Sequence, residues 1–296
     1  MSWIHAFELM CYVIVAIMLV DLIRKKDYDS LFTFGSAAIV GFVMELLAVA
    51  VTDIYYYNPE FLLNLGAEPK QFPVFGGFMW GGLTVYGIQL AKKLKWKPFP
   101  TALAAGMFIV TMDILLDVVA IRLDGGFWVW IGKKISLDID QHTFMSVIWV
   151  NFLGYMIETP TVVLLTLRKR KKVAPTDFKK QALHMVLIAL AAIGVTAVGS
   201  LVALGLNVLT DDWFACIAFI LLWVTMAIWM VCRAVKLRLK PGKVDIPALI
   251  FWSAMYGYCL AALCGLGIHT QAPWFLVVGI LFTAGTLYIT TAKNHA

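Results

Sequence analysis

Residues 101–121 read TALAAGMFIVTMDILLDVVAI, an apolar stretch that is long enough to cross a bilayer and carries Asp113 and Asp117 well inside it. A helix places these two carboxyl groups on one face, one turn apart. On insertion scales each costs roughly 2.5–3.5 kcal/mol at the centre of a membrane helix. No lysine or arginine lies in any hydrophobic segment of the sequence to neutralise them. We therefore expect the two carboxyl groups to form the floor of a polar site inside a membrane.

The composition of the whole chain indicates the same environment. Of its 296 residues, 61% are hydrophobic and 14% charged, and the mean hydropathy is +0.85. These values exclude an ordinary soluble domain. The apolar runs are long and continuous, which is typical of transmembrane helices and not of the alternating strands of a β-barrel. The sequence thus predicts an all-α polytopic protein of the cell membrane.

The apolar runs predict about nine transmembrane helices. They fall at 3–23, 31–51, 73–91, 101–121, 143–167, 182–209, 213–232, 246–268 and 273–291. When the connections are assigned alternately to two sides, 20 of the 24 lysines and arginines fall on one side. The positive-inside rule then predicts an N-terminus outside and a C-terminus in the cytoplasm. The net charge of +6 is explained by this topology, so no nucleic-acid partner is expected.

A basic connection at 168–181 divides the sequence into two unlike halves. The half at 1–167 has five predicted helices and carries all the acidic residues that fall inside spans. The half at 182–296 has four predicted helices without an internal acid, and we expect it to scaffold the site. No internal repeat relates the halves, which disfavours a transporter built from inverted repeats.

Depth in the bilayer groups several of the polar residues. With a rise of about 1.5 Å per residue, Glu45, Asp113, Asp117 and Asn151 fall in the outer half of the membrane or near its middle, where they can share one layer. Three acids in one layer are harder to explain as packing residues than one. We therefore favour a function for Glu45, Asp113 and Asp117.

The other two intramembrane acids have simpler explanations. Glu8 lies near a helix end, where its carboxyl group can reach the headgroup region, so a structural role is favoured. Glu158 precedes Thr159 and Pro160, and it fits a helix kink as well as it fits catalysis.

Two long connections on the predicted outer side are rich in aromatic residues. They contribute Tyr55, Tyr56, Tyr57, Phe127, Trp128 and Trp130. Any one of these rings fits an interfacial aromatic belt. Beside a layer of carboxyl groups, the rings together are expected to cap an apolar cavity and to offer π-faces to a developing cation. Gly125 and Gly126 would let the backbone turn back over the helix ends.

The remaining motifs do not indicate a cofactor. The run GGFMWGG at 76–82 places Gly77 and Gly81 in GxxxG spacing, which predicts close helix packing and no nucleotide site. The five cysteines form no CxxC pair, and the five histidines are dispersed. We therefore expect no cofactor and no metal, although His142 is placed where it could approach the acids.

Several of these features follow the order found in a known family. They are Glu45, the YYY run at 55–57, Gly66, Pro73, Trp80, LLD ending at Asp117, GFWVW at 126–130 and VNFLGY at 150–155. This series resembles the carotenoid 1,2-hydratase family of CruF-like membrane proteins, over about residues 31–160. That family has Asp-Pro where this chain has Asp117-Val118, and Trp where it has Tyr155.

The resemblance implies addition of water to the terminal C1=C2 double bond of a linear carotenoid, which gives a tertiary alcohol without a cofactor. The chemistry suits Asp117 as the acid, with Asp113 or Glu45 as the stabilising carboxylate and base. Asn151 would orient the water, and Trp128 or Trp130 would lie beside the cation. The substrate site would be completed by Phe127, Tyr55, Tyr57 and Trp80. The expected partners are membrane lipid and a long apolar polyene or isoprenoid.

Two other classes of protein fit the same acids. A proton-coupled carrier would load and release protons on them and needs a water path to both sides of the membrane. A hydratase needs an apolar slot open to lipid and a wet entrance on one side only. A structural or assembly subunit would use the acids only as hydrogen-bond partners between helices, so replacing Asp117 by Asn would then disturb folding alone.

Overall fold

The computed structural model of this protein describes residues 2–169 and 172–293, so Arg170 and Lys171 of the basic connection lie outside the described residues. Within that part of the chain there are nine long helices and one of four residues. Eight of the long helices, all except α3, are long and apolar enough to cross a membrane. The protein is therefore an all-α, multi-pass membrane protein.

The helices are α1 (Trp3–Arg24), α2 (Tyr28–Val51), α3 (Val74–Lys92), α4 (Pro98–Ala120), α5 (Trp149–Lys169), α6 (Phe178–Leu209), α7 (Trp213–Leu237), α8 (Ile246–Gly265), α9 (Ile268–Gln271) and α10 (Pro273–Thr291). Short strands lie in the connections: β1 (Tyr55–Tyr57), β2 (Asn64–Leu65), β3 (Phe72–Pro73), β4 (Trp128–Trp130), β5 (Thr143–Phe144) and β6 (Val147–Ile148). They pair antiparallel as β1 with β4, β2 with β3 and β5 with β6.

Side-chain caps and prolines fix where several helices begin. Ser2, Asp27 and Asp177 precede α1, α2 and α6, and each side chain accepts a hydrogen bond from a backbone N–H of the first turn. Helices α4 and α10 begin with proline, whose missing N–H is not needed at that position. The short polar connections thus set the register of the apolar helices.

Helix α4 lies at the centre of the bundle. Of the most apolar 18-residue stretch of α4, 89% is buried inside the protein, whereas the corresponding stretches of α6, α7 and α10 are only 22–28% buried. It packs against α3 and α5, and α3 packs against α2. Contacts also cross between the two predicted halves, because α6 packs on α2 and α5 while α8 packs on α1. The aspartates of α4 therefore face protein on all sides.

The glycines of α3 allow close packing on α2. A Cβ added to Gly77 or Gly81 would approach a phenylalanine ring of α2 to 2.4 or 2.6 Å, which is closer than any real contact. Gly41 of α2 meets Trp80 in the same way, at 2.4 Å. The packing role predicted for the GGFMWGG run is confirmed.

The largest departure from the predicted spans is at the start of α5. The sequence predicts a helix from residue 143, but β5 and β6 form a tight hairpin there and the helix begins at Trp149. Met145 and Ser146 form the turn with φ of 50° and 71°. The Ser146 hydroxyl donates to Lys134 O at 2.9 Å, which fastens the hairpin to the preceding connection. Hydropathy alone did not distinguish this apolar hairpin from a helical turn.

Candidate functional site

Strands β1 and β4 join the two aromatic connections into one lid. Tyr55 lies opposite Trp130 and Tyr57 opposite Trp128. Because side chains alternate along a strand, these four rings share one face, and all four line a cavity beneath the strands. Tyr56 is on the other face and is 38% exposed. We refer to residues 55–57 and 128–130 as the aromatic lid.

The backbone before β4 turns sharply from the end of α4 into the lid. Gly125 and Gly126 have φ of +81° and +98°, which confirms the turn predicted for them. The Asn58 amide donates to Asp124 O at 3.1 Å and to Gly126 O at 3.0 Å. These bonds fasten the connection after α2 to the connection after α4.

Arg122 fastens the other end of the second connection. Its guanidinium donates to the carbonyl oxygens of Val118 at 2.5 Å and Met145 at 3.0 Å, and also to Ser136 O. Burial lowers the pKa of Arg122 to about 10, so the group stays charged at neutral pH. Arg122 therefore positions the chain around the lid and does not enter the cavity.

The cavity under the aromatic lid contains all three predicted acids. Its volume is about 90 Å³, enough for roughly three water molecules at ~30 Å³ each. Glu45 reaches it from α2, and Asp113 and Asp117 reach it from α4. The rest of its lining is mostly aromatic rings and methionines. Of the described residues, no lysine, arginine or histidine lines it.

The two aspartates form the floor of the cavity. Asp113 and Asp117 are 3% and 1% exposed and interact with each other. The Asn151 amide donates to Asp117 Oδ2 at 2.6 Å. Asp113 Oδ2 has no hydrogen-bond partner among the described residues, and Tyr155 lies beside this carboxyl group. One aspartate is thus held in place, while the other presents a free oxygen.

Glu45 is held by the lid. The hydroxyls of Tyr55 and Tyr57 donate to its Oε2 at 2.6 and 2.8 Å. Burial, and then the charge of Glu45, raises the pKa of Tyr55 well above its usual value, so this phenol remains a donor at neutral pH. The two bonds offset part of the cost of a negative charge on Glu45.

The cavity includes most of the predicted site residues, and Tyr155 is among the lining residues that were not predicted. Glu45, Asp113, Asp117, Asn151, Trp128, Trp130, Tyr55, Tyr57 and Trp80 all line it. Phe127 does not; it is fully buried, and its ring packs 5.4 Å from Phe7 and 5.8 Å from Phe61.

Strand alternation explains why Phe127 is excluded, since it has the parity of Val129, whereas Trp128 and Trp130 point to the cavity. Tyr155 was not predicted, although it lies one helical turn after Asn151 and on the same face. Its ring stacks on Trp80, with centroids 4.9 Å apart. The spacing of Asn151 and Tyr155 was the signal that could have identified it.

A second cavity adjoins the first on the side of α2, α5 and α6. Its volume is about 160 Å³, and the two cavities share the side chains of Glu45, Tyr55, Trp80, Trp130, Asn151 and Tyr155. It extends to Glu158 and Thr196, whose Oε1 and Oγ1 atoms are buried without a hydrogen-bond partner among the described residues. The shared residues therefore form a wall between the acid cavity and the second cavity.

Glu8 and His142 lie apart from the cavity lining. The Glu8 carboxylate accepts from the backbone N–H groups of Leu62 and Leu63 at 2.6 and 3.1 Å, which agrees with the structural role favoured for it. His142 Nδ1 lies 2.7 Å from Asp212 Oδ2, at the turn between α6 and α7. Within residues 2–169 and 172–293, no group of three or more His, Cys, Asp or Glu side chains is arranged to hold a metal ion.

No family model, curated protein or solved structure matches this chain. The chemistry of the site therefore rests on its own geometry. Two adjacent carboxyl groups, a third carboxyl group held by phenols and a cover of aromatic rings can give and take a proton and can stabilise a positive charge. The surroundings suit a neutral, apolar reactant.

Proposed function

We propose that the protein is an intramembrane enzyme of isoprenoid metabolism that adds water to the terminal C1=C2 double bond of a linear carotenoid. The observation that carries the proposal is the Asp113–Asp117 pair under the aromatic lid, in a cavity lined by no basic residue among those described. In such surroundings a charged carboxylate is costly, so at least one aspartate is expected to keep its proton. A neutral carboxylic acid is the group needed to protonate an alkene.

The reaction proceeds in two steps, protonation of the alkene and addition of water to the resulting cation. Asp117 transfers its proton to C2, and the electron pair of the double bond forms the new C–H bond, which leaves a tertiary cation at C1. Water then bonds to C1 through its oxygen and gives its extra proton to Asp113. Because Asp113 and Asp117 interact directly, the proton can return to Asp117 and restore the starting state.

The neighbouring groups have distinct roles in this scheme. Glu45, held by two phenols, supplies negative charge near the cation, and Trp128 and Trp130 supply π-faces. Asn151 orients Asp117 through its amide N–H, and its amide oxygen is available to a water molecule. Asn151 is therefore a positioning residue as well as a candidate water ligand.

The substrate reaches the acids from the lipid. A cavity of about 90 Å³ admits only the end of a polyene, so the rest of the molecule must lie elsewhere. The second cavity between α2, α5 and α6 is the adjoining space, and it has a largely apolar lining. We place the polyene there, with its terminal double bond at the shared wall.

We infer nine membrane crossings in the cell membrane, with the N-terminus and the lid outside and the C-terminus in the cytoplasm. In this scheme α3 crosses the membrane in addition to the eight apolar helices. Pro73 at its start lines the acid cavity, and Lys93 at its end bonds to the end of α10, so its two ends lie at opposite ends of the bundle. The predominance of basic residues at the end opposite the lid supports this orientation.

Conversion in cells tests the proposal directly. The chain is expressed in cells that make a linear carotenoid, and extracts are analysed by mass spectrometry for products heavier by one or two waters. We expect such products, with the hydroxyl group at C1. Their absence with every linear polyene tested, while the protein is correctly folded in the membrane, would refute hydration.

A proton-coupled carrier is the second candidate, and one observation favours it. A large cavity at the opposite end of the bundle approaches the acid cavity along α3 and α8. Leu83 and Met255 line the acid cavity, whereas Tyr86 and Trp252 line the opposite one. Residues 83 and 86 are only about 4.5 Å apart along a helix, so a single layer of side chains separates the two spaces. Proton uptake by proteoliposomes, driven by an isoprenoid or other solute gradient, would favour the carrier.

A further inference from the structure

The cavity at the end of the bundle opposite the lid is lined by lysines. Its volume is about 950 Å³, roughly at the upper end of the usual range for small-molecule sites. Five lysines and two aspartates contribute to its walls. The lysines come from four separate segments of the chain and are Lys25, Lys92, Lys93, Lys243 and Lys293. We refer to this space as the basic cavity.

Two chain segments are joined to build one wall of the basic cavity. Gly242 N donates to Thr291 O at 2.8 Å, and Lys293 N donates to Lys240 O at 2.9 Å. A Cβ added to Gly242 would lie 2.7 Å from Lys293 Cα, so only glycine allows this approach. The pairing holds together the two segments that carry Lys243 and Lys293, and both lysines line the cavity.

The lysines differ in what they already bind. Lys25 pairs with Asp21 at 2.6 Å, and Lys93 donates to the carbonyl oxygens of Ile289 and Thr290 at 2.9 and 2.6 Å. The side chains of Lys243 and Lys293 form no hydrogen bond or ion pair within the described residues. Two ammonium groups that line one cavity without a protein partner among the described residues are suited to a polyanionic group such as phosphate.

The deeper lining of the basic cavity is apolar. Val85 and Ile88 of α3 and Ala248 and Trp252 of α8 form walls between the helices. An inorganic anion would leave these walls unused, whereas an amphipathic molecule would fill both parts. The combination matches a negatively charged head and an apolar chain.

We propose that the basic cavity is a binding site for a membrane lipid with an anionic, phosphate-bearing head, with the phosphate bound by Lys243 and Lys293 and an acyl or prenyl chain against α3 and α8. The lysine end of the site lies about 18 Å from Trp80 of the acid cavity, measured as the rise of α3 from Trp80 to Lys92. Its apolar end, at Tyr86 and Trp252, is one layer of side chains away from the acid cavity. The site requires no chemistry at the aspartates. The proposal therefore stands or fails independently of hydration.

Native mass spectrometry of the full chain in detergent tests the site. The probes are phosphatidylglycerol, phosphatidylcholine and glycerol 3-phosphate, each added to delipidated protein. The double variant Lys243→Gln/Lys293→Gln removes both unpaired charges. The control Lys179→Gln/Lys236→Gln removes the same charge from exposed lysines on the basic side that do not line the cavity.

We expect phosphatidylglycerol to bind the wild type and the control equally, and the cavity variant roughly 10- to 30-fold more weakly, since each lysine near a charged lipid contributes about a factor of five. Equal weakening in both double variants would overturn the proposal, because it would indicate general attraction to positive charge. Phosphatidylcholine binding as tight as phosphatidylglycerol would overturn the anionic part. Glycerol 3-phosphate binding as tight as the lipid would overturn the lipid part in favour of a soluble phosphate compound.

Discussion

Replacing Asp117 by Asn separates catalysis from packing at the centre of the site. The Asp117 side chain is 1% exposed, accepts a hydrogen bond from Asn151 at 2.6 Å and interacts with Asp113. An asparagine of the same shape can accept that bond through its amide oxygen, so the free energy of unfolding should change by about 1 kcal/mol or less. The amide has no acidic proton, however. Loss of a general acid should lower turnover by about 10²- to 10⁴-fold, which is about 3–5 kcal/mol of activation free energy.

The assay measures conversion of a linear carotenoid in lipid nanodiscs by mass spectrometry, with the thermal midpoint recorded on the same preparations. Glu8→Gln is the matched control, since Glu8 is also a buried acid but binds the Leu62 and Leu63 N–H groups outside the cavity. It should lower the midpoint and keep the turnover per folded molecule. A folded Asp117→Asn protein with more than a tenth of wild-type turnover would refute the assignment of the acid. Loss of folding in that variant, with no catalytic effect to measure, would favour a purely structural role.

Four further outcomes are expected. Tyr55→Phe/Tyr57→Phe removes both hydrogen-bond donors to Glu45 and should lower turnover at least about tenfold, whereas the control Tyr56→Phe on the outer face should not. Equal turnover by the double variant and the control would refute a role for the Glu45 carboxyl group. Gly41→Ala places a Cβ 2.4 Å from Trp80 and should lower the free energy of unfolding by about 1–3 kcal/mol, measured by thermal denaturation. The control Gly205→Ala, inside α6 with open space around it, should not lower the free energy of unfolding. Gly154→Trp should fill the second cavity and stop conversion, because Gly154 lines that cavity and nothing lies within 4 Å of its Cβ position; undiminished conversion by the folded variant would mean that the substrate takes another route. Tyr56→Cys/Val129→Cys places two cysteines at facing positions of β1 and β4, which should form a disulfide on oxidation and leave conversion intact, since the substrate is proposed to arrive through the second cavity. Loss of conversion that a reductant reverses would mean that the aromatic lid must open.

The parts of the fold that follow a helical period were predictable from the sequence. Hydropathy located the long helices, and the one-turn spacing of Asp113 and Asp117 placed both carboxyl groups on one face of α4. The GxxxG spacing predicted a close helix-packing face on α3, and the structure shows that α2 packs against it. These features are local, so a single sequence is enough to recognise them.

The parts that depend on pairing between distant segments were not predictable. The antiparallel match of residues 55–57 with 128–130 joins two connections separated by two helices, α3 and α4, and neither connection alone reveals its partner. Without that register, the orientations of Phe127 and Trp128 could not be assigned, so both were expected at the site. The hairpin at 143–148 was concealed by its apolar composition.

The distribution of charge along the sequence predicts the orientation of the protein in the membrane, but it does not predict which basic residues lie close together. The excess of basic residues on one side is an orientation signal. That interpretation does not reveal that five of the lysines surround a single space, because they lie in four segments far apart in the chain. The pairing of Gly242 with Thr291, and of Lys293 with Lys240, holds together the segments that carry two of them.

The central position of α4 has a consequence for biogenesis. A nascent α4 released alone from the translocon would carry two carboxyl groups into lipid, at a cost of roughly 5–7 kcal/mol. In the finished protein, 89% of its most apolar window is enclosed by neighbours. The preceding helices α1–α3 are synthesised first, and α3 supplies one of the two main contacts of α4. Insertion of α4 should therefore depend on the helices that have already been inserted beside the translocon. Deletion of α3 should prevent residues 98–120 from adopting their normal transmembrane position, and a glycosylation reporter would detect the change.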